Sequence, residues 1–452
     1  MKSLLWAGVC CLLAAAAAQA QDTRTVTEPV IPPVCATLKA LLMAPRGISP
    51  ADEQALDTAR IQKGLDDCGE GHALELAADG DHNAFLTGPI EMRKGVTLLV
   101  DKGVTLYGSR NPADYELQPG SCGINNPKTG CKALITGRGV RGAGIMGDGV
   151  IDGRGGSRII VGGKEQGKTW WDLGHAAKTG DHQQVPRLIV MDHSDDFTLY
   201  RITLKNAAFF HVTYSNGDGF TVWGLKIDTP STAPNTDGVD PGSSKNITVT
   251  QSYIRDGDDN IAIKGGSGPV THMSVIHNHF YYGHGMSIGS ETTAGVSALR
   301  VTDLSLDGTT AGIRIKSQEA YGGLVHDVVY DDICIRNSKS PIQLDTNYRA
   351  NPKPGSGHIP VFTDIVLRDV RVEGGGRIQL SGFDTSRRIG IQFDGVTLDS
   401  PSSYKFVVDH ADVVLGPGPV NFQLTGTDST WSGKPGPGSL PSCADKFVPF
   451  PE

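Results

Sequence analysis

The chain has 452 residues, a formal net charge of −8, 20% charged residues, 58 glycines and only 6% aromatics. A composition this ordinary in charge excludes an intrinsically disordered chain, and an acidic chain is poorly suited to nucleic acid. Glycine at this frequency without a collagen period implies many tight turns between short strands.

Residues 1–20 read as a secretory leader. Lys2 supplies the positive end, an apolar stretch runs from Leu4 to Ala18, and Ala18-Gln19-Ala20 is a small-x-small cleavage pattern that sets the mature start at Gln21. The stretch is shorter than the ~20 apolar residues of a membrane span, and no later stretch is longer, so the mature chain is expected to be extracellular and free of the membrane. Without Lys2 the formal charge is −9, so any acidic ligand must be met by a local cluster of Arg and Lys. Cys10 and Cys11 leave with the leader. The six that remain, Cys35, Cys68, Cys122, Cys131, Cys334 and Cys443, form an even set in an exported chain. Sequence proximity favours Cys35–Cys68 and Cys122–Cys131, which leaves Cys334–Cys443.

Residues 21–452 read as one domain. Ser49-Pro50-Ala51-Asp52-Glu53 carries helix-start signals, namely Ser as N-cap, Pro at the first position and acids in the first turn. Ala55, Leu56, Ala59, Ile61 and Leu65 follow at roughly helical spacing, so a capping helix is expected over about 50–66. Gly137 to Gly142 matches GxGxxG literally, but no helix or crossover unit follows, so no dinucleotide site and no cofactor is expected. Trp170 and Trp171 are assigned to loop packing.

From Phe197 onward the chain repeats. Eight segments, starting at Phe197, Phe220, Ile247, Met273, Leu299, Val328, Ile365 and Ile391, share the pattern apolar–x–apolar–x–x–apolar–x–apolar, at steps of 23, 27, 26, 26, 29, 37 and 26. Alternation that breaks once and resumes describes two short strands joined at a bend, each with one buried face. A period near 26 with no helical signal and no leucine-rich signature is one coil of a β-solenoid. The fold class is therefore all-β, a right-handed single-stranded parallel β-helix. The longer step holds Asn337 to Pro360 as a protruding loop, and the Gly-, Pro- and Ser-rich tail of about 426–452 is expected to cover the far end as irregular chain.

A second matched set lies between these repeats. Aligning Val239, Ile261, Met286, Ile313 and Ile342 gives steps of 22, 25, 27 and 29, one coil each, so the five segments stack as strands of one sheet. That register gathers Asp237, Asp258, Asp259, His284, Arg314 and Lys316. Arg314 and Lys316 are two apart and face away from the inward Ile313 and Ile315. Asp258 and Asp259 are adjacent and must sit in the turn after Gly257 for both to reach one cleft. Clustered carboxylates push one pKa up to make a general acid and leave another ionised to activate water, while Arg and Lys suit an acidic sugar. Asp240, Lys264 and Asp345 are assigned to ladders or surface. His272, His277 and His279 lack an acid or Cys to complete a ligand set, so no metal is expected.

At these residues the chain resembles glycoside hydrolase family 28, the polygalacturonases. The motifs stand as Asn235-Thr236-Asp237, Gly257-Asp258-Asp259, Gly283-His284-Gly285 and Arg314-Ile315-Lys316, in the family's order, with Gly147-Asp148-Gly149-Val150-Ile151-Asp152-Gly153 as a further family segment. The resemblance implies inverting hydrolysis of the α-1,4 bonds of polygalacturonate in pectin, with no cofactor, by a monomer. It implies Asp258 as general acid, Asp237 and Asp259 as the pair that holds and activates water, and His284 as the residue that tunes the acid. It implies Asn235, Arg314, Lys316 and Tyr348 as substrate-binding. His284 favours polygalacturonate over rhamnogalacturonan, and the likeness is nearest to bacterial endo-acting members. The competing readings are an exo-acting member of the same family, a pectate lyase, and a non-catalytic β-helix.

Overall fold

The computed structural model describes residues 21–125, 130–177, 183–348, 357–440 and 442–452. The proposed leader lies outside the described residues. The repeat segments pair in the expected register: Phe197 with Phe220, Phe220 with Ile247, Ile247 with Met273, Met273 with Leu299, Leu299 with Val328, Val328 with Ile365, and Ile365 with Ile391, all parallel. The result is a parallel β-helix whose apolar repeat residues fill one continuous interior.

The bend inside each repeat has one conformational cause. The second residue of the adjacent x–x pair takes a left-handed backbone in all eight units: Arg201, Gly224, Gln251, His277, Asp303, Asp332, Asp369 and Gly395 have φ between 48° and 80°. One such residue turns the chain sharply between two extended runs, and stacking the turns lets neighbouring coils follow the same path. His277 sits at this corner, which accounts for its place in the sequence without a ligand role.

The eight repeats are the regular middle of a longer stack. Val34–Lys39, His72–Ala77, Val96–Val100 and Gly144–Met146 extend it before Phe197, and Ala411–Leu415 and Thr430–Gly433 extend it afterwards. The capping helix, α1 (Thr58–Asp67), starts later than expected and buries Ile61 and Leu65 against the first coils. Ser49 does not cap a helix, because its hydroxyl donates to the Asp52 carboxylate at 2.7 Å. Glu53 is drawn instead into a buried bridge with Arg110 and Arg154, at 2.6 and 2.5 Å, so residues 50–54 form a turn and the helix begins only at Thr58.

The first and last of the described residues lie along the outside of the solenoid. At the N-terminal end, the Asp22 N–H donates to Ser274, the Asp22 carboxylate accepts from Thr248, Arg24 donates to the Phe220 carbonyl, and Tyr200 donates to Glu28. The tail does not cover the far end as irregular chain. After Thr430–Gly433 adds a strand, the chain runs back over earlier coils. Cys443 is bonded to Cys334, Lys446 bridges Asp303 and Asp332, Tyr281 donates to the Val448 carbonyl, and Phe450 lies 4.0 Å from the Arg255 guanidinium. Cys35–Cys68 and Cys122–Cys131 are the other two disulfides.

The Cys334–Cys443 bond closes a separation of 109 residues, so its loss frees much unfolded-chain entropy. Replacing both residues by serine is expected to lower the unfolding free energy by about 3–5 kcal/mol in guanidinium titrations. An unchanged midpoint would mean that the tail adds nothing to the fold.

Candidate active site

Seven strands of one eleven-stranded parallel sheet carry the site: β1 (Ile189–Asp192), β2 (Val212–Ser215), β3 (Val239–Gly242), β4 (Ile261–Ile263), β5 (Met286–Ile288), β6 (Ala311–Lys316) and β7 (Ser340–Asp345). Val239 pairs with Ile261, Ile261 with Met286, Met286 with Ile313, and Ile313 with Ile342. The apolar members of that ladder are buried, so alternation turns Asp240, Ala262, Ser287, Arg314 and Gln343 to the other face.

The acids before β4 are held by tightly packed turns. A Cβ on Gly257 would come within 1.8 Å of the Ala233 carbonyl, so only glycine lets the coils approach closely enough to present Asp258 and Asp259 together. Gly283, at φ 121°, meets Asn260 Nδ2 in the same way and lets His284 face back toward Asp258.

Asp259 is the most strongly bound carboxylate. It is buried, and its oxygens accept from Arg314 Nη1 at 3.0 Å, Ser287 Oγ at 2.7 Å and Lys316 Nζ at 2.6 Å. Burial pushes its pKa up, but Lys316 and Arg314 outweigh burial and bring it down to about 2. Asp258 Oδ1 accepts the Asp259 N–H at 2.9 Å and faces His284 Nδ1 at 3.0 Å, while the His284 N–H donates to the Asp258 carbonyl at 2.7 Å. Arg314 also reaches Tyr348 Oη at 3.2 Å, and its guanidinium lies 5.1 Å from that ring. Asn235 lies at the edge and donates to Gln183 at 3.2 Å. The fold therefore brings Asp237, Asp258, Asp259, His284, Arg314, Lys316 and Tyr348 to one region, with Asn235 on the turn before β3.

Three residues that the sequence analysis did not place here belong to the same cluster. Lys264 Nζ lies 2.7 Å from Asp240 and 3.3 Å from Asp237, so neither Asp240 nor Lys264 is a mere ladder or surface residue. Their outward phase on adjacent strands was the available signal. Burial pushes Asp240 up to about 6 even though Lys264 opposes it, and burial followed by the Asp240 charge pushes Asp237 well up. Asp256 is fully buried below the turn, accepts the Asp258 N–H at 3.2 Å, and is driven toward its neutral form by burial and then by Asp237. No sequence signal separated it from an ordinary turn aspartate. Asp345 stays in a ladder role, accepting from Gln379 at 3.1 Å.

One oxygen each of Asp258 and Asp259 and a ring nitrogen of His284 lie within 4.8 Å of one another, a spacing that could hold a cation. The donor set does not fit one, because Asp259 is already neutralised by an arginine and a lysine that would oppose a second positive charge. A groove of about 890 Å3 lies over the earlier coils, lined by Lys132, Arg138, Gln183, Arg187 and Phe209 among others; it shares Gln183, the acceptor for Asn235, with the edge of the site but is not lined by the acids.

Residues 68–413 match the model of glycosyl hydrolases family 28. The chain belongs to that family. This family 28 chain is 43% identical to the endo-polygalacturonase of Pectobacterium carotovorum subsp. carotovorum over 398 residues, covering 87% of this chain and 94% of the relative. It is 37% identical to a polygalacturonase of Ralstonia nicotianae, covering 97% of this chain and 94% of the relative. The solved polygalacturonase of Erwinia carotovora ssp. carotovora superposes with a TM-score of 0.79 at 41% identity, covering 87% of this chain and 99% of that one.

The Asp259 pKa is depressed, so the stability this group contributes is complete above its ordinary 3.8 and is lost as pH falls through about 2. Asp259→Asn leaves two buried cations without their anion and is expected to cost about 3–5 kcal/mol at neutral pH. In urea titrations the gap from wild type should narrow by about 2 kcal/mol between about pH 4 and pH 2. A gap that stays constant down to that limit would mean that Asp259 is not ionised in the fold.

Proposed function

We propose that this family 28 hydrolase is a secreted, monomeric endo-polygalacturonase that cleaves α-1,4 bonds of polygalacturonate with inversion. The observation that carries the reading is the ladder from β3 to β6, which gathers three carboxylates, one histidine and two cations on a single face. Export is supported by the leader-like residues 1–20 and by three disulfides, which persist in oxidising compartments. Endo action is supported by the relative of that name and by a groove over the earlier coils that includes Gln183, the hydrogen-bond partner of Asn235.

Asp258 acts as the general acid. It is the least buried of the three acids and has His284 against it, so a proton can be delivered to the leaving oxygen and replaced. Asp259 is fixed in its charged form, and with Asp237 it orients and deprotonates the attacking water. Arg314 and Lys316 are each only partly spent on Asp259 and offer further donors to a galacturonate carboxylate, with Tyr348 and Asn235 as neighbouring contacts. Asp258→Asn is expected to reduce kcat by about 10²–10⁴-fold with an unchanged circular dichroism spectrum. Near-normal turnover would remove Asp258 from this role.

The nearest oxygens of Asp258 and Asp259 lie within 4.8 Å, short for a pair that must admit a water between them, since inverting pairs usually stand about 6.5–9.5 Å apart. The reading therefore gives the water to Asp237 and Asp259 together, on the far side of the bond from Asp258. A short digest of polygalacturonate with chelator, followed by proton NMR and mass spectrometry, tests this. The expected products are saturated oligomers of mixed length that appear first as the β-anomer. The α-anomer first would make Asp259 a nucleophile, mono- or digalacturonate alone would mean exo action, and products lighter by one water would mean a lyase.

A further inference from the structure

The two water-orienting acids are held in different ways. Asp259 has an arginine and a lysine to itself, whereas Asp237 shares one ammonium with a second buried acid. Lys264 Nζ lies 2.7 Å from Asp240 Oδ2, 3.3 Å from Asp237 Oδ2 and 4.2 Å from the centre of the Phe210 ring. Asp237 and Asp240 are 5% and 2% exposed, and Asp240 Oδ1 has no hydrogen-bond partner among the described residues. The Phe210 ring also carries Arg187, whose guanidinium lies 5.2 Å from its centre.

The charged groups around Asp237 come from every neighbouring element. Asp240 lies on β3, just after Asp237, and Lys264 follows β4, while Asp256, Asp258 and Asp259 occupy the turn before β4. Arg187 precedes β1, and its charge acts on both Asp237 and Asp240. His211 Nδ1 contacts the Asp237 carbonyl at 3.0 Å rather than its carboxylate. Lys264 is the one cation in direct contact with the Asp237 carboxylate among the described residues.

We propose that Lys264 and Asp240 are an opposed pair of positioning residues for the reaction: the ammonium draws the Asp237 carboxylate into its charged, cleft-facing form, and the Asp240 carboxylate competes for that ammonium. This rests on the reading of Asp237 as a water-orienting acid. The physical basis is that two buried carboxylates bridged by one cation do not ionise independently. Removing the cation penalises the second ionisation, and removing the competing anion favours it. The pair would then set the lower pH at which the enzyme becomes active, without either residue touching substrate.

The signs make the test decisive. The pH dependence of kcat on polygalacturonate is measured for wild type, Lys264→Met, Lys264→Arg and Asp240→Asn, with near-ultraviolet circular dichroism on each. Lys264→Met is expected to move the acid limb up by about one pH unit, a tenfold loss of the ionised fraction, and Lys264→Arg to restore most of it. Asp240→Asn is expected to move the limb down. A uniform fall in kcat with the limb unmoved, or movement of both variants in one direction, would overturn the proposal. If Lys264→Met does not fold, the downward shift of Asp240→Asn still decides the case. Asp237→Asn separates the two levels of argument. Wild-type turnover in that variant would defeat the reading of Asp237 itself, whereas an inactive Asp237→Asn with unmoved limbs in the others would defeat only the pairing.

Discussion

Backbone hydrogen bonding between successive coils is the constraint on which the molecule depends. Each coil must end where the next can pair with it in parallel, so any change of path has to recur in the same place on every turn. The left-handed residue that closes the adjacent x–x pair in all eight repeats satisfies that demand. The corner needs no particular side chain, and Arg, Gln, His, Asp and Gly all occupy it. What is fixed is the count of residues between corners within a repeat, and insertions are confined to the turns outside it.

The same constraint makes the site possible. Residues 20 to 30 positions apart in the chain become neighbours at the strand spacing of about 4.8 Å, close enough for carboxylates to perturb one another strongly. The cluster handles that repulsion in graded ways. Asp259 is neutralised by two dedicated cations, Asp237 and Asp240 share one, Asp256 is driven toward neutrality by burial, and Asp258 keeps a histidine and some exposure. Five acids on neighbouring turns and strands thus stand in different electrostatic settings because their immediate partners differ.

The regular part of this arrangement was legible in the sequence, because apolar periodicity and strand register are two views of one pattern. The alignment of Val239, Ile261, Met286, Ile313 and Ile342 matches the paired ladder residue for residue. Reasoning from periodicity lost the coils before Phe197, where insertions separate strands as short as Gly144–Met146. It misplaced the start of α1 because Glu53 answers to Arg110 and Arg154, partners more than 50 residues away. Asp240 and Lys264 carried the right phase, but a salt bridge between outward residues on adjacent strands has the same signature whether it decorates a surface or supports a cleft. Asp256 could not be recognised at all, since its burial depends on how three neighbouring turns close over it.

A stack in which each coil touches only its neighbours behaves as a one-dimensional array, and such arrays fray from their ends. Here the two terminal segments of the described residues act as external lashings. The segment from Asp22 to Glu28 ties the coils of Ser274, Thr248, Phe220 and Tyr200 together, and the tail from Cys443 to Phe450 ties those of Cys334, Asp303, Tyr281 and Arg255. Their spans meet at the coils that bear the acids. Nearest-neighbour coupling is thereby supplemented by links that skip several turns, so that the middle of the array cannot open one coil at a time. A protease attacking from either end would have to undo a lashing anchored around the centre before any inner coil came free.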